Sequence, residues 1–158
     1  MQISITTADK SDLNAILFLF TETIKNSGHK YYSEKQLAAW AAGANNLPRW
    51  QKALQNQYFI LAKADEKLLG FASLENNNYI DFLFVHHNYQ RQGIAQKLYE
   101  NIVCQAQNNH AAQITSDVSK IALPFFKTQG FTVLREQTKP INGVEITNYK
   151  MVLKLDEK

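Results

Sequence analysis

The chain has 158 residues, of which 45% are hydrophobic and 20% are charged, and its formal net charge is +3. This length is sufficient for a single domain with its own core. The single cysteine, Cys104, excludes an internal disulfide and favours a reducing compartment. The basic residues are dispersed, and neither a signal peptide nor an apolar run of roughly 20 residues is recognisable. We therefore expect a cytoplasmic protein that binds neither nucleic acid nor membranes.

The first third of the chain predicts one strand followed by three helices. Residues 3–7 alternate apolar and polar side chains, as a strand does. Apolar residues then recur at helical spacing, namely Leu13, Ile16, Leu17, Phe20 and Ile24. Gly28 is expected to end this helix in a left-handed conformation. Residues 33–36 form a capping-box sequence that begins a second helix, and a short third helix is predicted at residues 48–54.

The rest of the chain predicts strands interrupted by two helices. The strands are expected at residues 58–64, 68–74, 79–85, 113–118, 131–137 and 145–155, and the helices at residues 92–108 and 119–128. The strand at residues 79–85 is almost wholly apolar, which is typical of the centre of a sheet. Asn142 and Gly143 form a tight-turn signal between the last two strands. The order of elements indicates a single α+β domain over residues 1–158.

The segment Gln90-Arg91-Gln92-Gly93-Ile94-Ala95 follows the apolar strand and begins a helix. Its small residues let a ligand approach the backbone, and the N–H groups of a first helical turn have no intrahelical partners. Together with the helix dipole, these groups form an anion site suited to a diphosphate, to which Arg91 and Lys97 add positive charge. By itself the segment is equally typical of an ordinary helix start with a solvated Arg91.

A second motif downstream makes a family resemblance specific. Residues 119–131 read Ser119-x-x-Ala122-x-x-Phe125-Phe126-x-x-x-Gly130-Phe131. With the strand at residues 81–85 and the loop and helix through Leu98, they resemble the cofactor-binding core and late helix of the GNAT N-acetyltransferase superfamily. Residues 32–41 resemble a branch of small bacterial members. The resemblance implies a GNAT-like α+β domain with a mixed, mostly antiparallel sheet of about seven strands, flanked by about four to five helices.

The resemblance further implies an enzyme that transfers an acetyl group from acetyl-CoA to a primary amine of a small molecule or peptide, by direct attack in a ternary complex without a metal. The family's backbone contacts to pantetheine and the thioester correspond to Leu83, Phe84 and Val85. Its diphosphate contacts correspond to residues 90–95. Ser119 replaces an asparagine that contacts pantetheine in many members, although a serine there equally suits a helix cap.

Phe126 departs from the family pattern, because many members have a tyrosine there that reprotonates the departing thiolate. An alternative function is therefore a catalytically weak acetyl-CoA-binding or sensing module. For the general base, strand alternation places Asp81 on the face of Leu83 and Val85, opposite Phe82 and Phe84. Asp81 is the first candidate and Glu75 the second, while a structural hydrogen-bonding role for Asp81 is an equal alternative.

The acceptor site is expected against the early helices. Tyr32 and Trp40 either provide aromatic walls for a cationic amine or belong to the core, whereas Trp50 is assigned to the core. Cys104 is expected to be buried and not to act as a nucleophile. Pro124 implies that the late helix begins near Ala122 or is kinked. An exposed final strand is a candidate for pairing in a homodimer.

Overall fold

The computed structural model describes residues 1–155, which form a seven-stranded sheet covered by five α-helices. The strands are β1 Ser4–Thr7, β2 Tyr58–Ala64, β3 Lys67–Glu75, β4 Tyr79–Val85, β5 Gln113–Ser119, β6 Thr132–Ile141 and β7 Val144–Lys154. The helices are α1 Leu13–Ser27, α2 Glu34–Ala41, α3 Leu47–Asn56, α4 Ile94–Asn108 and α5 Leu123–Thr128. The predicted GNAT-like fold class is confirmed. No helix within residues 1–155 has both the length and the apolar character needed to cross a membrane.

Local hydrogen bonds explain where the early helices begin. Ser33 Oγ accepts from the Gln36 N–H at 3.1 Å, and the Gln36 side chain accepts from the Ser33 N–H at 2.9 Å, so the predicted capping box is present. The Asn46 side chain caps α3, and Pro48 occupies its first turn, where a missing N–H costs nothing. α3 spans Leu47–Asn56 and is thus longer than the predicted range of residues 48–54.

Gly28 follows the last residue of α1, but not in the predicted conformation. Its φ is −98°, which lies in the right-handed region, so no left-handed cap is formed. A Cβ on Gly28 would instead collide with the side chain of Leu37. The absence of a side chain at Gly28 thus allows α2 to pack against the end of α1.

The late helix and the last hairpin also differ from their predicted extents. β5 continues to Ser119, and α5 begins only at Leu123 with Pro124 in its first turn, which confirms a start near Ala122. Asn142 and Gly143 both have positive φ, 48° and 80°, in the predicted tight turn. β7 lies between β5 and β6, so the final strand is not at an edge of the sheet; the edge strands are β1 and β6.

Two residues of α4 lie elsewhere than predicted. Cys104 is exposed, because it lies on the face of α4 that turns away from the sheet. Lys97 donates to the Ile3 carbonyl at 3.3 Å, and so its ammonium group is directed toward the residues before β1.

The central strand β4 carries a β-bulge at Asp81. Opposite it on β3, Ser73 pairs with Phe82 and Leu74 pairs with Ile80, so Asp81 is the extra residue. The bulge breaks the predicted alternation, because Asp81 now lies on the same face as Phe82 and reaches α3. The predicted placement of Asp81 on the face of Leu83 is therefore wrong.

The two faces of the sheet carry different cores. One face packs aliphatic residues against α4, with Leu98 and Ile102 among those fully buried. The other face packs against α1, α2 and α3 through an aromatic cluster composed of Phe20, Trp50, Phe59, Phe71, Phe82 and Phe84. Because Phe82 and Phe84 come from β4, this cluster fixes the central strand against the early helices.

Gly70 on β3 is required for the close packing of α4 on the sheet. A Cβ at Gly70 would lie 2.7 Å from the Phe84 carbonyl oxygen and 3.1 Å from Leu98 Cδ1. We expect Gly70→Ala to lower the free energy of unfolding by about 1–3 kcal/mol, because the backbone of β4 would have to move. Denaturant unfolding measures this cost. Gly43→Ala is the matched control, since its Cβ would come no closer than 3.8 Å to Phe20, and an equal loss in both variants would contradict the explanation.

Candidate active site

A cleft of about 1290 Å³ opens where β4 and β5 separate. These two strands run parallel but pair only at Tyr79 with Thr115 and at Ile80 with Ser116, after which they diverge. The cleft is lined by the ends of both strands, by the loop before α4, by the start of α5, by α1 to α3 and by the β6–β7 turn. Beyond these two pairs, the backbone N–H and C=O groups of β4 do not bond to those of β5. These groups can instead bind an extended ligand.

The loop before α4 presents a helix N-terminus to one end of the cleft. Gly93 has a φ of 82°, which a residue with a side chain rarely adopts, and it immediately precedes α4. No side chain of residues 1–155 caps the N-terminus of α4, so the N–H groups of its first turn have no side-chain acceptor there. A Cβ at Gly93 would meet no atom within 4 Å. The geometry fits an anionic group that lies directly against the backbone.

Most residues predicted to bind the cofactor line this cleft. They are Leu83, Phe84, Val85, Gln90, Arg91, Gly93, Ile94, Ala95, Ser119 and Phe126, whereas Gln92 is not among the lining residues. The Gln90 amide donates to the Val85 carbonyl and to Ser27 Oγ, each at 3.3 Å. The loop is thereby tied to both β4 and α1.

Ser119 and Phe126 have clear structural roles in addition to lining the cleft. Ser119 Oγ accepts from the Ala122 N–H at 3.1 Å and so stabilises the turn between β5 and α5. Phe126 is 3% exposed, and its ring packs edge-on against Phe131 with centroids 5.0 Å apart. The contact of Ser119 favours the structural alternative for this residue.

Asp81 is paired with a residue that the sequence analysis did not single out. Arg49 of α3 donates through both terminal nitrogens to the two Asp81 carboxylate oxygens, at 3.0 and 3.1 Å. The Gln57 amide donates to the same carboxylate at 2.8 Å and to Glu75 at 3.1 Å. The Asp81 side chain is 8% exposed. These bonds favour the structural alternative for Asp81, and Glu75 does not line the cleft.

A second carboxylate stands on β5, on the same side of the sheet. Asp117 accepts from the Tyr79 hydroxyl at 3.1 Å and from the Gln137 amide at 2.8 Å, and Lys139 Nζ lies 3.9 Å away. Burial, followed by the charge of Asp117, raises the pKa of Tyr79, so this phenol stays protonated and donates. Neither Tyr79 nor Asp117 was predicted as a site residue, because their pairing joins positions 38 residues apart.

The aromatic residues near the early helices divide between core and cleft. Trp50 is 1% exposed and belongs to the core, as predicted. Trp40 is half-buried and lines the cleft beside Phe84, with ring centroids 6.1 Å apart. Tyr32 also lines the cleft, but its hydroxyl donates to the Thr147 carbonyl at 2.8 Å and accepts from the Lys120 N–H at 3.0 Å. Tyr32 therefore joins the residue after β5 to β7 through its hydroxyl, while its ring forms part of the wall.

The family model described as an acetyltransferase (GNAT) domain matches residues 29–153. The chain belongs to the GNAT family of acetyltransferases. The matched range includes the loop before α4, the hairpin of β6 and β7 and most of the residues that line the cleft, whereas the lining residues of α1 precede it. The family resemblance carried by the loop and by residues 119–131 is thus confirmed.

Individual GNAT proteins are similar over nearly the whole chain. An uncharacterized N-acetyltransferase of Escherichia coli, YafP, is 28% identical over 149 residues, which cover 94% of each protein. A GCN5-related N-acetyltransferase from Rhodopseudomonas palustris is 27% identical, with a TM-score of 0.94 over 98% of this chain and 97% of that one. The PaiA N-acetyltransferase of Thermoplasma acidophilum, solved with coenzyme A, has the same fold with a TM-score of 0.81, 20% identity, and coverage of 98% and 100%.

Proposed function

We propose that this GNAT protein transfers an acetyl group from acetyl-CoA to the primary amine of a small molecule or peptide, in a ternary complex. The observation that carries the proposal is the cleft in which the diverging ends of β4 and β5 meet the uncapped N-terminus of α4. Support also comes from two proteins of the same fold, PaiA with coenzyme A and YncA of Salmonella typhimurium with acetyl-CoA, the latter 18% identical with a TM-score of 0.71.

Each part of the cleft has a task in this reaction. The N–H groups of residues 91–95 and the dipole of α4 would hold the diphosphate, with Arg91 at its edge. The backbone of Leu83, Phe84 and Val85 would hold the pantetheine arm and the thioester carbonyl. When bound, acetyl-CoA supplies an activated acetyl group, which the amine attacks directly as the thiol leaves.

Asp81 acts in this proposal as a positioning residue for Arg49 and not as a base. Three hydrogen bonds to its two oxygens occupy most of its acceptor positions. Phe126 offers no proton to the leaving thiolate. A thiolate is a good leaving group, because the pKa of a free thiol is only about 8.5, so it can depart without a proton and take one from water afterwards. The acceptor amine then has to arrive in its neutral form.

The pH dependence of the reaction tests this assignment. With acceptors whose amines have different pKa values, we expect kcat/KM to rise tenfold per pH unit up to the pKa of each amine, because only the neutral amine attacks. We expect Asp81→Asn to leave the shape of this profile unchanged, whatever it does to the absolute rate. A low-pH limb that is the same for all acceptors, and that Asp81→Asn removes, would instead identify Asp81 as the base.

Release of free thiol tests the proposed function as a whole. Purified protein is given acetyl-CoA and a panel of amino acids, polyamines, aminoglycosides and peptides, and the acetylated product is identified by mass. We expect at least one acceptor to give stoichiometric thiol and N-acetyl product. Tight coenzyme A binding without thiol release above the blank for any acceptor would favour the alternative function. That alternative is the acetyl-CoA-binding or sensing module suggested by a phenylalanine, rather than a tyrosine, at position 126.

A further inference from the structure

The charges that line the cleft are unevenly distributed. Four cationic residues line it, namely Lys30, Arg49, Arg91 and Lys139, against the two acidic residues Asp81 and Asp117. Asp81 is ion-paired with Arg49, and Asp117 lies within 3.9 Å of Lys139. Within residues 1–155, the cleft therefore offers no carboxylate free of a basic partner to a polycationic acceptor. Arg91 is assigned to the diphosphate, and the three other cations still outnumber the two carboxylates, which favours an acceptor that carries an anionic group.

Arg49 is the cation best prepared to bind such a group. Its guanidinium is held from one side by the bidentate pair with Asp81, and its central carbon lies 4.8 Å from the centre of the Phe82 ring. The hydrogen bonds to Asp81 raise the pKa of Arg49, so its charge is permanent. Despite these contacts, 47% of the Arg49 side chain is exposed.

The remaining donors of Arg49 have no partner within the described part of the chain. A guanidinium has five N–H donors, and the bonds to Asp81 use two of them. The part of the guanidinium that is not bonded to Asp81 is planar and forked, which matches a carboxylate. Because Asp81 fixes the orientation of the group in advance, little side-chain entropy is lost when a ligand binds.

The position of Arg49 assigns it to the acceptor and not to the cofactor. Arg49 reaches the cleft from α3, on the sheet face covered by the early helices, whereas the diphosphate loop leads into α4 on the opposite face. The bulge at Asp81 places the ion pair two residues before the backbone of Leu83, where the pantetheine contacts are proposed to begin. An anionic group on Arg49 therefore lies on the approach of the amine to the thioester.

We propose that Arg49 binds a carboxylate of the acceptor, so that the substrates of this protein are small primary amines that also carry a carboxylate. This inference rests on the proposed acetyltransferase function and narrows its acceptor class. The competing explanation is that Arg49 only neutralises the buried Asp81. That explanation accounts for the ion pair but not for the three donors left unpaired within residues 1–155, on a side chain that is 47% exposed in a cleft.

Matched acceptors separate the two explanations. Amino carboxylates of increasing chain length are compared with their own carboxamides, and kcat/KM is calculated per neutral amine, because the carboxamide lowers the amine pKa of the shorter acceptors. We expect wild-type protein to prefer the best carboxylate over its amide by about tenfold to a hundredfold in kcat/KM, as expected for a charge-assisted hydrogen bond. The double variant Arg49→Gln/Asp81→Asn removes the cation without leaving a buried charge, and we expect it to lose this preference.

Controls distinguish failure of this inference from failure of the proposed function. The control Arg135→Gln/Glu136→Gln, on the edge strand β6 outside the cleft, removes one cation and one anion, as Arg49→Gln/Asp81→Asn does, and should keep the preference. In parallel, saturation-transfer NMR measures binding of the carboxylates in the presence of coenzyme A without any turnover. Binding to wild type that is lost in the double variant supports the inference even if no acetylation occurs. Equal kcat/KM values for acids and amides, or no binding preference for acids, would overturn it.

Discussion

Replacing Gly93 with glutamate is expected to abolish coenzyme A binding while leaving the fold intact. The loss should exceed about a hundredfold in Kd, because the carboxylate would occupy the approach to the first N–H groups of α4 and would repel a diphosphate. Removing two or more charge-assisted hydrogen bonds of about 1.5–3 kcal/mol each accounts for this magnitude. Isothermal titration with coenzyme A measures the affinity directly.

The fold should tolerate this change, apart from backbone strain. A Cβ at Gly93 would meet no atom within 4 Å, so the cost is that of placing a side chain at a φ of 82°, about 1 kcal/mol. Gly143→Glu is the matched control, because Gly143 has a φ of 80°, also has open space around it, and lies in the β6–β7 turn. If both variants bind coenzyme A like wild type, the assignment of the loop is wrong.

The features that the sequence predicted well are those that local patterns determine. The capping box at Ser33, the tight turn at Asn142 and the glycine before α4 each depend on residues within a few positions of one another. The order of strands and helices follows from hydrophobic periodicity for the same reason. The family itself was predicted from the resemblance of residues 81–98 and 119–131 to GNAT proteins.

The features that were missed depend on pairings between distant segments. Whether Asp81 reaches α3 is decided by a one-residue bulge against β3, and Arg49 lies 32 residues earlier in the chain. Strand alternation alone places Asp81 on the wrong face, because a bulge leaves no sequence signal at that position. Likewise, the exposure of Cys104 depends on which side of α4 meets the sheet, which the apolar stripe of this helix fixes only approximately.

The aromatic cluster beneath the acceptor side of the cleft predicts the largest change in stability. Trp50 is 1% exposed, stacks on Phe82 at 4.3 Å with an interplanar angle of 10°, and donates its indole N–H to the Gly43 carbonyl at 3.0 Å. We expect Trp50→Ala to cost about 3–5 kcal/mol, because it leaves a large cavity and an unpaired carbonyl. For a domain of this size, that loss corresponds to a fall in Tm of roughly 6–20 °C.

A second tryptophan variant separates this core role from a general effect of losing an indole. Trp40 is half-buried at the wall of the cleft, so Trp40→Ala removes fewer contacts and should cost less than half as much. Denaturant unfolding of both variants tests the difference, and equal losses would contradict it. Because Arg49 lies over the ring that Trp50 supports, any folded Trp50→Ala protein should also discriminate less between acids and amides. The stability of the aromatic cluster and the proposed choice of acceptor thus depend on the same stacked pair.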